Sequence, residues 1–245
     1  MGDKLFDSLE RFHGQRPWGR VLDAGTGEHS LKWLLGLAPE HITAVTGAGP
    51  RAEKLARLAR PVDQMVLGNW KDPAFLNGQV YEVVLADYLL GALDGFAPYF
   101  QDQLFQRLRP HVGGALYFVG LEPFPDEASG PQEHLVLEID RLRDACIKLA
   151  GHRCYREYPQ EWVERNLERS GFRVVDAWAM PIVYRSRWVN GQLDVCVRKL
   201  PYFKDRALAA AMRDHIQDLR EGSLAAIGPE GLRFGRDYVV IAEPA

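Results

Sequence analysis

Apolar residues recur along this chain in two alternating rhythms, short buried runs and longer stripes at helical spacing. Over Lys4 to Phe12, Leu5, Phe6, Leu9 and Phe12 fall on one helical face, predicting an N-terminal helix within residues 1–15. Pro17-Trp18-Gly19 ends it, and Arg20 to Ala24 reads as a buried strand broken by Gly25. A helix over Ser30–Leu37, a strand over Ile42–Val45, a helix over Arg51–Ala59 and a strand over Gln64–Leu67 follow. Two more strands, Glu82–Ala86 and Ala115–Val119, flank a predicted helix over Phe100–Leu108. Strands that are apolar throughout and separated by helices are the pattern of a mostly parallel sheet covered on both faces.

The rhythm changes after Glu122. Pro123, Pro125, Gly130 and Pro131 mark an irregular stretch before a helix from Gln132 to Leu149, whose Leu135, Ile139, Leu142, Cys146 and Leu149 form one stripe. Pro159 opens another helix that ends at Gly171, and Phe172–Ala177 follows as a strand. A long excursion, Tyr184 to Arg236, precedes the terminal strand Tyr238–Ala242. It holds an amphipathic helix marked by Leu208, Ala211, Met212, His215, Ile216 and Leu219. Before that helix two readings stand: Asn190-Gly191 is a hairpin turn signal, yet Leu193, Val197 and Leu200 also fit one helical face. The length suits a single domain over 1–245, with 123–158 and 185–236 as insertions that cap the sheet or bury their stripes in a homodimer contact.

Composition narrows the function classes. Thirty basic against thirty-three acidic side chains leave a net charge of −3, so no positive field exists to draw nucleic acid. No apolar run reaches the roughly 20 residues that span a bilayer, so no membrane partner is expected. Met1 to Glu10 mixes charges with apolar residues and does not read as a secretory signal. Cys146, Cys154 and Cys196 are scattered without CxxC spacing, which fits a reducing, cytoplasmic compartment. The histidines are equally dispersed, so no metal site is expected.

The chemistry begins where the first strand breaks. A glycine turn after a buried strand lets a ligand approach the backbone closely, and the next helix offers free N–H groups. Gly25-Thr26-Gly27 is placed for this; a dinucleotide fingerprint would have a third glycine where Ser30 stands. The segment Val21-Leu22-Asp23-Ala24-Gly25-Thr26-Gly27 resembles the first motif of class I S-adenosylmethionine-dependent methyltransferases. Similar segments follow in the family's order: Leu67-Gly68-Asn69-Trp70, Tyr81 to Asp87, Leu108 to Gly114 and Ser170-Gly171-Phe172. The resemblance implies a doubly wound α/β fold, a mostly parallel seven-stranded Rossmann-like sheet with an antiparallel C-terminal strand.

It also implies the cofactor, S-adenosylmethionine, with S-adenosylhomocysteine as product, and a cofactor site of Asp23, Ala24, Gly25, Thr26, Gly27, Thr46, Gly68, Asn69, Trp70 and Asp87. The chain departs from the family twice. Val45-Thr46-Gly47-Ala48 lacks the acidic residue that takes the ribose hydroxyls, leaving Thr46 or backbone groups to substitute, and Asn69 stands where aspartate is common. Asn69 retains an amide oxygen for the adenine amine, and Trp70 is available to pack on the ring.

Methyl transfer needs chiefly an acceptor held in line with the methyl group, with a base as an option. Asp87, Tyr88 and Glu122, at the mouth of the sheet, are the candidates for catalytic duty. Arginines interleaved with aromatics, Tyr155 and Arg156 echoed by Tyr184 and Arg185, suggest an anionic or aromatic small-molecule substrate. A small-molecule methyltransferase is the leading expectation. A protein or peptide methyltransferase and a non-catalytic, regulatory S-adenosylmethionine-binding module are the alternatives.

Overall fold

A computed structural model describes residues 4–245. Seven strands form one sheet: β1 (Arg20–Asp23), β2 (His41–Thr46), β3 (Gln64–Leu67), β4 (Tyr81–Asp87), β5 (Val112–Leu121), β6 (Phe172–Tyr184) and β7 (Leu232–Pro244), in spatial order β3-β2-β1-β4-β5-β7-β6. The first five run parallel, with Val21 opposite both Ile42 and Val83. β7 is antiparallel to β5, pairing Phe118 with Val240. This is the expected doubly wound sheet with an antiparallel C-terminal strand.

The unbroken apolar character of the strands has a direct cause: alternate side chains enter two different cores. Leu22, Val84, Leu116, Phe118 and Val240 face α4 (Leu89–Phe96), α5 (Leu104–Leu108) and α7 (Gln160–Arg169). Val21, Ile42, Val83, Leu85, Tyr117 and Ile241 face α1 (Lys4–His13), α2 (Glu28–Gly36) and α3 (Gly49–Ala56). The N-terminal helix expected from Leu5, Phe6 and Leu9 forms, and its last residue locks it to the sheet. The buried His13 places Nδ1 2.7 Å from the Tyr117 hydroxyl and stacks on Trp18.

The chain divides into two compact units, the first formed by residues up to Glu122 with Arg156–Met180 and Asp237–Ala245. The second comprises Pro123–Tyr155 and Pro181–Arg236. Its core joins α6 (Pro131–Leu149), α8 (Ser186–Lys199) and α9 (Arg206–Ala226) through Ile139, Leu142, Val189, Leu193, Ile216 and Leu219. Asn190-Gly191 therefore lies inside a helix, because Val189, Leu193 and Cys196 bury one helical face. No helix among the described residues is long and apolar enough to cross a membrane.

Several elements differ from the sequence expectation, among them β7, which begins at Leu232, inside the expected excursion. Phe100–Leu108 is only a 3-10 turn followed by the short α5, and β6 continues past Ala177 to Tyr184. Between β4 and that turn lies α4, a helix that two internal glycines, Gly91 and Gly95, conceal from propensity. At the other end of the sheet, Gly114 is demanded by packing, since a Cβ there would stand 2.3 Å from the Glu82 carbonyl oxygen. Gly114→Ala must push two neighbouring strands apart and is expected to cost about 2–3 kcal/mol. Urea unfolding at unchanged slope measures it, and a midpoint equal to wild type would refute the contact.

Candidate active site

The sheet order reverses at β1, which has β2 on one side and β4 on the other. The loops leaving the carboxyl ends of neighbouring strands diverge at such a point and open a crevice. Here the crevice is lined by Ala24, Gly25 and Thr26 after β1, Thr46 and Gly47 after β2, and Gly68, Asn69 and Trp70 after β3.

The first loop is built on a buried carboxylate. Asp23 is wholly buried at the end of β1, and its Oδ2 accepts a 2.7 Å hydrogen bond from the Ser30 hydroxyl. That hydroxyl in turn accepts the Gly27 amide at 3.1 Å, so one serine ties the strand end to the first turn of α2. Ser30, which breaks the dinucleotide fingerprint, is thus the lock of this loop. Asp23 Oδ1 has no hydrogen-bond partner. Burial pushes the carboxyl up to about 6, opposed by the Ser30 hydroxyl and more weakly by the Gly25 amide and Thr26 hydroxyl.

Trp70 is almost completely buried, and its indole Nε1 donates to the Ala24 carbonyl at 2.8 Å. It braces the first loop against the third, with its ring edge-on to Phe75. Asn69 donates its amide nitrogen to the Phe96 carbonyl at 2.7 Å, while its Oδ1 accepts the Lys71 amide. The Thr46 hydroxyl accepts from the Ala48 amide at 3.3 Å, a local turn after β2.

The structure thus gathers Ala24, Gly25, Thr26, Thr46, Gly68, Asn69 and Trp70 around one cavity, while Asp23 lies beneath it as support. Gly27 serves the lock, and neither it nor Asp87 lines the cavity. The opposite wall, Leu89, Ala92, Leu93 and Phe96 of α4, is absent from the sequence expectation. The apolar spacing from Leu89 to Leu93 directly after a strand was the available signal. Among the described residues, Arg51 is the only charged side chain in the lining.

The three catalytic candidates lie where the sequence reading set them, at the carboxyl ends of β4 and β5. Asp87 is half-buried opposite Val119. Tyr88 adopts a left-handed backbone (φ 46°), and its hydroxyl donates to Asp237 at 2.7 Å. Glu122 Oε2 accepts the Gln160 amide at 3.1 Å. The four substrate candidates do not share a unit. Arg156 belongs to the first, where its main-chain N–H donates to the buried Asp94 carboxylate. Tyr155, Tyr184 and Arg185 belong to the second; Tyr155 is exposed, the Tyr184 ring is buried against Trp188, and Arg185 donates to the Pro229 carbonyl.

The residues suit an S-adenosyl ligand in kind: a glycine loop after β1, an orphaned buried oxygen on Asp23, and an amide and an indole after β3. The fit in size is different. The cavity measures about 60 Å³, well below the range of small-molecule sites, and the Leu89 and Phe96 side chains lie against its glycines Gly25 and Gly47.

No family model and no curated protein matches the sequence. Solved structures do match in fold. A candidate methyltransferase from Bacillus halodurans aligns with TM-score 0.62 at 13% identity, over 99% of this chain and all of that one. The mycolic acid cyclopropane synthase CmaA1, in complex with S-adenosylhomocysteine and CTAB, aligns at 0.58 and 14% over 98% and 83% of the two chains. The [4+2]-cyclase SpnF aligns at 0.56 and 17% over 99% and 80%.

The Asp23 carboxyl sets a pH dependence of stability. Its folded value of about 6 exceeds the unfolded 3.8, so the folded chain holds the proton more tightly. Stability is then greatest below the unfolded value and falls as pH rises to about 6, by an amount on the order of 2–3 kcal/mol. Asp23→Asn removes this term, and the difference between wild-type and variant unfolding free energies is expected to change across that window. A constant difference from pH 4 to 7 would contradict the buried carboxyl.

Proposed function

We propose that this chain transfers a methyl group from S-adenosylmethionine to a small-molecule acceptor. The fold is that of the class I S-adenosylmethionine-dependent methyltransferases, as the sequence motifs implied. The observation that carries the reading is the convergence of the loops after β1, β2 and β3 on one cavity whose glycine turn is braced from below by Asp23 and Ser30. The cofactor supplies a methyl group already activated on a sulfonium, so the work left to the protein is positioning and proton transfer.

Gly25 and Thr26 bring the backbone to the amino-acid end of the ligand, and Asn69 faces its purine. Trp70 keeps the two loops at fixed separation through its bond to the Ala24 carbonyl. Thr46 and the neighbouring backbone serve the ribose in place of a carboxylate. For an acceptor hydroxyl or ammonium, Tyr88 is the group suited to take the proton, passing its own to Asp237 along the existing 2.7 Å bond. Asp87 and Glu122 orient the acceptor at the same mouth. The small-molecule assignment is supported by the ligands of CmaA1. A second reading, a binding module or an enzyme of other chemistry on the same scaffold, is favoured by the likeness to SpnF.

Calorimetric titration with S-adenosylmethionine, S-adenosylhomocysteine and a nicotinamide dinucleotide is expected to give binding of the two sulfur compounds only. Binding of neither would end the reading. Transfer of labelled methyl from the cofactor into fractions of a metabolite extract, with a peptide pool in parallel, then separates small molecules from polypeptides. Binding without transfer favours the module. With an acceptor in hand, Tyr88→Phe is expected to lower kcat about a hundredfold or more with cofactor affinity unchanged. An unaltered kcat would leave Tyr88 an orienting role at most.

A further inference from the structure

We propose that the carboxyl-terminal turn of α4 is a gate on the nucleoside end of the cavity, with Phe96 as its plug and Asn69 as its latch. The proposal rests on the reading of this cavity as an S-adenosyl site.

Four observations converge. First, the cavity of about 60 Å³ holds a few waters and no purine nucleoside, although the residues around it are of the kind that bind one. Second, the side chain that takes up the room is Phe96, whose ring lies over Gly47. A Cβ on Gly47 would stand 2.6 Å from ring atom Cδ1, so the missing side chain after β2 is what allows the ring to bed there. Third, the Asn69 amide that would face the purine is held by the gate itself, donating to the Phe96 carbonyl at 2.7 Å. The bond to the gate fixes the orientation of the Asn69 side chain, whose oxygen accepts the Lys71 amide, so the purine amine reaches that oxygen only when the gate lets the side chain turn.

The fourth observation concerns which atoms are free to move. Phe96 keeps 39% of its surface exposed, so the ring gives up only part of a side chain's burial when it swings away. Its neighbours are anchored: the buried Asp94 carboxylate accepts the Arg156 amide, and the Ala97 amide donates to the Leu93 carbonyl at 2.7 Å. Movement is thereby confined to Gly95 and Phe96, between two fixed points. Leu89, at the other end of α4, stays packed against Gly25 and keeps the methionine end of the site shaped. The ligand enters when the Asn69–Phe96 bond opens and the ring leaves Gly47. Asn69 is then released to the purine edge, and the plug returns when the product departs.

The test is titration and stopped-flow binding of S-adenosylhomocysteine to the full chain, followed by tryptophan fluorescence. Phe96→Ala removes the plug, and Gly47→Ala evicts it; the backbone at Gly47 lies outside the left-handed region, so alanine is tolerated there. Both variants are expected to associate faster. Phe96→Ala is also expected to bind roughly three- to thirtyfold tighter, the range for a partly buried ring, since the main-chain carbonyl that holds Asn69 is kept. Wild-type binding with equal or weaker affinity in Phe96→Ala would overturn the gate and make the ring a stacking face for the purine. Binding to none of the three proteins would instead overturn the S-adenosyl reading itself, and the gate with it.

Discussion

The constraint on which the rest of this molecule depends is the burial of β1 on both faces. Val21 and Leu22 are completely inaccessible and point into different cores, so the strand can meet polar surroundings only at its end. All irregular backbone and all polar recognition groups near β1 are therefore gathered at Asp23 to Gly27. Because β2 and β4 lie on opposite sides of β1, their connections run off to opposite faces and leave the space above that loop open. The position of the cavity follows from topology before any of its side chains is considered.

A fully buried carboxylate is an expensive foundation for such a loop. Asp23 is held chiefly by a short bond from Ser30, and the same hydroxyl fixes the Gly27 amide at the mouth of α2. The arrangement trades stability for a loop of one shape, with the strand end, the glycine turn and the helix start tied through one side chain. Trp70 extends this rigidity across the crevice by fixing the Ala24 carbonyl. Three sides of the cavity are thus rigid by hydrogen bonding, which leaves α4 as the adaptable wall. Its two internal glycines and its length of eight residues leave it little helical stability of its own.

Much of this was legible in the sequence because it is written in local spacing. Apolar strands between helices, the Asp23 to Gly27 turn and the Asn69-Trp70 pair each carry a periodicity or a turn chemistry that survives without neighbours. Roles were harder to read than positions. Trp70, available to pack on a ring, also holds a backbone carbonyl, and Ser30, which breaks one motif, is the lock of another. Both outcomes depend on which donor finds which acceptor across tens of residues.

By itself the sequence determined the strands, their mostly parallel sense and the site of the glycine loop, since each follows from hydrophobic period and turn chemistry. The class of nucleoside ligand to expect came only from the motif's resemblance to a methyltransferase family. Only the tertiary structure decided that Phe96 fills the space over Gly47, that Asn69 is engaged by the carbonyl of Phe96, and that Tyr88 meets Asp237 across 149 residues. The reason is physical. Periodicity reports which face of an element is buried, whereas the partner that buries it is selected by packing between segments remote in the chain.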